Sequence, residues 1–199
     1  MEKNTILVGG VLLLLGLGIG YVIGGREPAM GNHMMPNGSM MGDRSMMSQN
    51  IDQHFIMQMI PHHEGAIGMA KIALERSKRP EVIGLANGII KAQQKEISDM
   101  MSWYQTWFGS APPHMEGMAH MDGMSGDTRE LASVSAAEFD REFLTQMIPH
   151  HEMAIMMAEM LKAGTERAEM KQLAANIITS QSNEITTMRG WLRSWYGVQ

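Results

Sequence analysis

Gln58-Met59-Ile60-Pro61-His62-His63-Glu64 recurs, residue for residue, as Gln146-Met147-Ile148-Pro149-His150-His151-Glu152. The match extends outward from this heptapeptide. A shift of 140 − 52 = 88 residues lays Asp52–Gly109 on Asp140–Gly197 without a gap, and 26 of the 58 pairs are identical. A duplicated segment of this length implies two like hairpins packed against each other.

Each copy reads as two helices. The first copy predicts a helix over about 50–77, a new start at Pro80, where a missing N–H costs nothing, and a stop at Gly109 after Phe108. In the second copy Ser135-Ala136-Ala137-Glu138 has the form of a capping box, Gly164-Thr165 reads as a stop followed by an N-cap, and Gly197 ends the last helix. Strand signals are absent. The expected fold is all-α: a four-helix, ferritin-like bundle built from two repeated helical hairpins with one long crossover.

The apolar stripes of these helices are interrupted at matching places. The second helix reads Val82, Leu85, Ile89, Gln93, Glu96, Met100, Trp103, Trp107; the fourth reads Met170, Leu173, Ile177, Gln181, Glu184, Met188, Trp191, Trp195. A carboxylate on a core stripe needs a partner, because an unpaired buried charge costs several kcal/mol. The first and third helices offer one. Their stripes run Phe55, Met59, His62, Ala66, Met69, Ala73 and Phe143, Met147, His150, Ala154, Met157, Leu161. His63 falls about a quarter turn from its stripe and Glu64 nearly opposite it, at about 100° per residue. Pro61 and Pro149 each remove a helical N–H and are expected to kink the helix or open a carbonyl there.

Met59, His62 and His63 share one helical turn, as do Met147, His150 and His151. Thioether with imidazole is a donor set for Cu(I), and imidazole also accepts Cu(II). Met69 and Met157, further along the same helices, can complete it. Gln93, Glu96, Gln181 and Glu184 are expected to accept the other imidazole N–H and fix its tautomer, with Glu64 and Glu152 as additional ligands or outer partners. The bland reading, core histidines satisfied by buried carboxylates and methionines that fill gaps, accounts for individual residues. It does not account for the repetition of the whole set.

Composition supports a soft metal. The 199 residues include 24 methionines and no cysteine, so disulfides and thiolate metal sites are excluded. Thioether keeps its ligand form at any pH and suits Cu(I) where thiols would oxidise. A net charge of −5 recommends no nucleic acid.

The chain divides into residues 1–27, a signal or membrane anchor; 28–49, a flexible tail; 50–109, the first hairpin; 110–134, a linker; and 135–199, the second hairpin. Ile6–Ile23 is apolar or glycine apart from one tyrosine, and marginally long enough to span a bilayer. The bulk of the chain is therefore expected outside the cytoplasm, in the periplasm or secreted. The tail carries His33 and the pairs Met34-Met35, Met40-Met41 and Met46-Met47. The linker carries His114, Met115, Met118, His120, Met121 and Met124 among prolines and glycines that make a stable helix improbable. Both segments are expected to capture soft cations weakly.

The pattern M-x-P-H-H-E-x-A-x-x-M-A, here Met59–Ala70 and Met147–Ala158, resembles the signature of a ferritin-like helical family long labelled a domain of unknown function. With its Met-rich tail, the chain is similar to periplasmic copper-resistance proteins. The resemblance covers about residues 50–197. It implies a four-helix bundle that binds copper or silver ions in the periplasm and lowers copper toxicity, with ligands at His62, His63, His150, His151 and nearby methionines. Other periplasmic copper-handling proteins are the implied partners. No turnover is expected. The rivals are a di-metal carboxylate oxidase, for which the chain lacks the required Glu-x-x-His, and a cuprous oxidase.

Overall fold

The computed structural model describes residues 44–113 and 128–197, with side chains described from residue 51. Five helices occur there: α1 (Arg44–Arg76), α2 (Pro80–Phe108), α3 (Thr128–Ser133), α4 (Phe139–Gly164) and α5 (Ala168–Tyr196). The four long ones form the expected bundle. α2 packs on α1, α5 packs on α4, and α1 packs on α4 to join the hairpins.

The ends follow local chemistry. Gly109 and Gly197 stop α2 and α5 in the left-handed conformation, at φ 73° and 67°, which glycine adopts without strain. Gly164 closes α4 for a different reason: its backbone is not left-handed, but a Cβ there would lie 2.5 Å from Ile51 Cδ1. In the turns, the Ser77 and Thr165 hydroxyls accept the Arg79 and Arg167 N–H groups at 3.2 and 3.1 Å.

Three expectations change. α1 begins at Arg44, so Met46 and Met47 stand on its first turns rather than in a tail. The stretch 110–134 contains α3, which tertiary contacts hold: Leu131 is buried in the core, and Arg76 donates to the carbonyls of Leu131, Ala132 and Val134. Ser135 and Glu138 form no capping box. Instead the Glu138 N–H donates to the Ser135 carbonyl at 3.2 Å in a turn, and α4 starts one residue later without a side-chain cap.

The core has two apolar halves. One gathers Ala66, Met69 and Ala73 of α1 with Phe143 and Met147 of α4 and Ile185 and Met188 of α5. The other gathers Phe55 and Met59 of α1 with Met157 and Leu161 of α4 and Met100 of α2. The N-terminal half of α1 thus meets the C-terminal half of α4, so the two motif helices run antiparallel. Between the halves lie the positions of His62, His63, Gln93, His150, His151 and Gln181, all buried.

Matched charge clamps tie the repeats together. Asp52 of the first pairs with Arg167 of the second at 3.1 Å, and Asp140 of the second with Arg79 of the first at 3.3 Å. Each arginine also lies over a tryptophan: Arg167 over Trp107 at 4.1 Å and Arg79 over Trp195 at 4.3 Å. Burial raises the Asp52 pKa, against the opposing pull of the Thr165 hydroxyl and the Arg167 guanidinium.

Candidate metal centre

The antiparallel packing of α1 on α4 brings the two heptapeptides face to face. The His62 and His150 rings stand 3.8 Å apart between centroids, one from each repeat. His63 and His151 flank them, each with its ring centroid 6.4 Å from its neighbour in sequence. All four histidines are at most 4% exposed. α1 and α4 pass through Pro61 and Pro149 as continuous helices. Each proline leaves a carbonyl four residues earlier without its helical donor, immediately beside the histidine pair.

The outer histidines are oriented by carboxylates from the second helix of their own hairpin. His63 Nε2 lies 2.7 Å from Glu96 Oε2, and His151 Nε2 lies 2.7 Å from Glu184 Oε2. A carboxylate accepts only, so it holds the imidazole proton on Nε2 and leaves Nδ1 as a lone-pair donor. Both Nδ1 atoms are buried with no hydrogen-bond partner. His63 is therefore no peripheral residue: its quarter-turn offset aims it at α2, which buries it completely.

His62 is more exceptional, because neither ring nitrogen has a hydrogen-bond partner. Burial, reinforced by the neighbouring His63 and His151 imidazoles, pushes its pKa down to about 3. The ring is neutral, the form that binds metal. The side-chain carbonyls of Gln93 and Gln181 are likewise buried without a donor. Each unmet buried group costs about 1–3 kcal/mol, so a layer of them calls for a ligand.

The methionines are shared between repeats. Met59 lies in the same core cluster as Met157, and Met147 in the same cluster as Met69. Met59 and Met69 are thus on opposite sides of the histidine layer, and each side draws thioethers from both copies. Glu64 and Glu152 are exposed, and Glu152 pairs with Arg189 instead. Among the described residues, no three of His, Asp and Glu are grouped to hold one ion. His33, Met34, Met35, Met40, Met41, His114, Met115, Met118, His120, Met121 and Met124 lie outside the described residues, as does the apolar run 6–23. Among the described residues, no helix is long and apolar enough to cross a membrane.

The protonation behaviour of His62 gives a first expected outcome. Its folded pKa of about 3 lies below the ordinary 6.5, so the unfolded chain takes up the proton first as pH falls. The stability is complete above 6.5, erodes below it, and this contribution is fully lost near 3. From pH 6.5 to 5 the loss is about 2 kcal/mol. Urea unfolding of the metal-free protein at both pH values should therefore have a steeper pH dependence in the wild type than in His62→Leu. Equal slopes would contradict a neutral, buried His62.

A family model described as "Domain of unknown function (DUF305)" matches residues 52–192. The chain is similar to solved structures of CopM. The Cu(II)-bound form is 50% identical with a TM-score of 0.69, covering 73% of this chain and 97% of that one. The Cu(I)-bound form is 47% identical with a TM-score of 0.66 over the same shares. CopM is also solved with silver bound. An uncharacterized protein of Acanthamoeba polyphaga mimivirus is 47% identical over 53 residues, 27% of this chain. The match spans only 35% of that viral protein's length.

Proposed function

We propose that this chain, which belongs to the DUF305 family, is a copper-binding protein that sequesters or shuttles copper without turnover. Its ions are Cu(I) first, with Cu(II) and Ag(I) also accepted. The ligands are the imidazoles of His62, His63, His150 and His151, supplemented by the thioethers of Met59 and Met157 on one side of the layer and Met69 and Met147 on the other. The observation that carries this reading is the buried histidine layer, where His62, His63 and His151 have ring nitrogens without hydrogen-bond partners. The donor chemistry is soft to borderline, which fits copper. The likeness to CopM, solved with Cu(I), Cu(II) and silver, supports the same choice.

The cysteine-free, methionine-rich composition and the N-terminal apolar run support a role outside the cytoplasm, in the periplasm, where binding would confer copper resistance. Other copper-handling proteins of that compartment would deliver or receive the ion.

The carboxylates provide the test. Glu96→Gln with Glu184→Gln removes the negative charge that holds the proton on Nε2 of His63 and His151 while keeping the shape of the side chains. A loss of about 10–100-fold in Cu(I) affinity is expected, as for other outer partners of metal-bound histidine. Anaerobic competition against a Cu(I) chelator reads it. Affinity equal to wild type would remove these four residues from the site.

A further inference from the structure

The two repeats differ on one outer face. On α1, this face carries Gly65, Gly68 and Ile72. α3 packs on α1, and a Cβ at Gly68 would lie 3.2 Å from Thr128 Cγ2. Adding 88 gives the matching positions on α4: Met153, Met156 and Met160. Met156 and Met160 are 54% and 56% exposed, two of the three exposed large hydrophobic side chains among the described residues. Met153 is half-buried at the foot of the stripe.

Core packing does not explain Met156 and Met160, whereas Met153 is partly buried against the core half that holds Met59 and Met157. At 3.6 residues per turn Met153, Met156 and Met160 fall within about 60° of one another, centred about a quarter turn around α4 from the stripe of His150, Ala154, Met157 and Leu161. Spacings of three and four residues put successive Cβ atoms about 5–6 Å apart, and long, unbranched methionine side chains can converge over one point. Met156 is flanked one turn away on either side by the exposed carboxylates Glu152 and Glu159. Arg189 meets the Glu152 charge, so what distinguishes the face is its neutral sulfur donors, which suit a soft cation of low charge.

We propose that Met153, Met156 and Met160 form a solvent-facing three-thioether site for a soft monovalent cation, Cu(I) or Ag(I), on the outer face of α4 and separate from the buried histidine layer. Met156 and Met160 are exposed without any helix rearrangement, so ions exchange there faster than in the core. The first repeat lacks this site, because glycines and α3 occupy the corresponding face.

The test uses the full chain labelled with 13C at the methionine methyls, with the three resonances assigned from single Met→Leu variants. Silver nitrate is titrated into the wild type and into His62→Leu with His150→Leu. In both backgrounds the Met153, Met156 and Met160 methyls should shift together and saturate with one equivalent, whereas Zn(II) should leave them in place. Persistence of the shifts in the histidine variant separates this site from the fate of the core reading. Met153→Leu with Met156→Leu and Met160→Leu keeps the side-chain bulk and should lose one equivalent of Ag(I), with unchanged circular dichroism. Methyls that do not shift, or that titrate independently, overturn the proposal. So does a triple variant that keeps full Ag(I) stoichiometry, including one that instead dissociates a dimer, since the face would then be a contact between copies of the chain.

Discussion

Replacing His62 and His150 together by leucine is expected to abolish tight copper binding while leaving the metal-free protein at least as stable as the wild type. The rings meet at 3.8 Å in the centre of the bundle, buried, and both His62 nitrogens lack hydrogen-bond partners. Leucine is apolar and of similar reach, so the substitution removes desolvation cost from the layer. Replacing buried polar groups by apolar ones of like shape is often neutral or stabilising, by about 1–3 kcal/mol. Copper affinity should move the other way. Loss of two direct ligands exceeds the 10–100-fold typical of losing an outer partner. Chelator competition and thermal unfolding of the same samples give both numbers. A variant that is strongly destabilised but still binds copper tightly would make the histidines structural and place the site elsewhere.

Arg167→Ala should be the most destabilising single change in the turns. It strips the charged partner from Asp52, which is fully buried and keeps only the Thr165 hydroxyl, and removes the cation over Trp107. Breaking a buried ion pair from one side costs about 3–5 kcal/mol, because the remaining charge is uncompensated. The matching change in the other clamp, Arg79→Ala, should cost less, since Asp140 is partly exposed and water can solvate it. Adding Asp52→Asn to Arg167→Ala should recover part of the loss by removing the stranded charge. Denaturant midpoints of the three variants against the wild type decide the matter. Equal costs at the two arginines would mean that burial of Asp52 does not govern the clamp.

These clamps mark where the sequence stops being legible. The long helices could be read from periodicity, the glycine stops and Pro80, and the duplication alone implied paired hairpins. The polar gaps at Gln93, Glu96, Gln181 and Glu184 could be read too, because a carboxylate on an apolar stripe demands a partner. Asp52 and Arg167 were different: a charged residue near a helix end has the look of a solvated one. The available signal was their identity with Asp140 and Arg79 across the repeat, at positions no core stripe explained. The crossing of α1 on α4 was hidden as well. Local spacing groups Met59 with Met69, whereas antiparallel packing groups Met59 with Met157 and Met147 with Met69. α3 leaves no local signal because a six-residue helix has no stability of its own; Leu131 and Arg76 hold it through contacts distant in sequence.

The most direct test is anomalous diffraction at the copper edge from crystals of the protein loaded anaerobically with Cu(I). A copper peak is expected within bonding distance, about 2 Å, of an imidazole nitrogen of His62 or His150 in the buried layer, with a Met59, Met69, Met147 or Met157 sulfur beside it. Copper peaks confined to surface methionines, with the histidine layer unchanged, would contradict it.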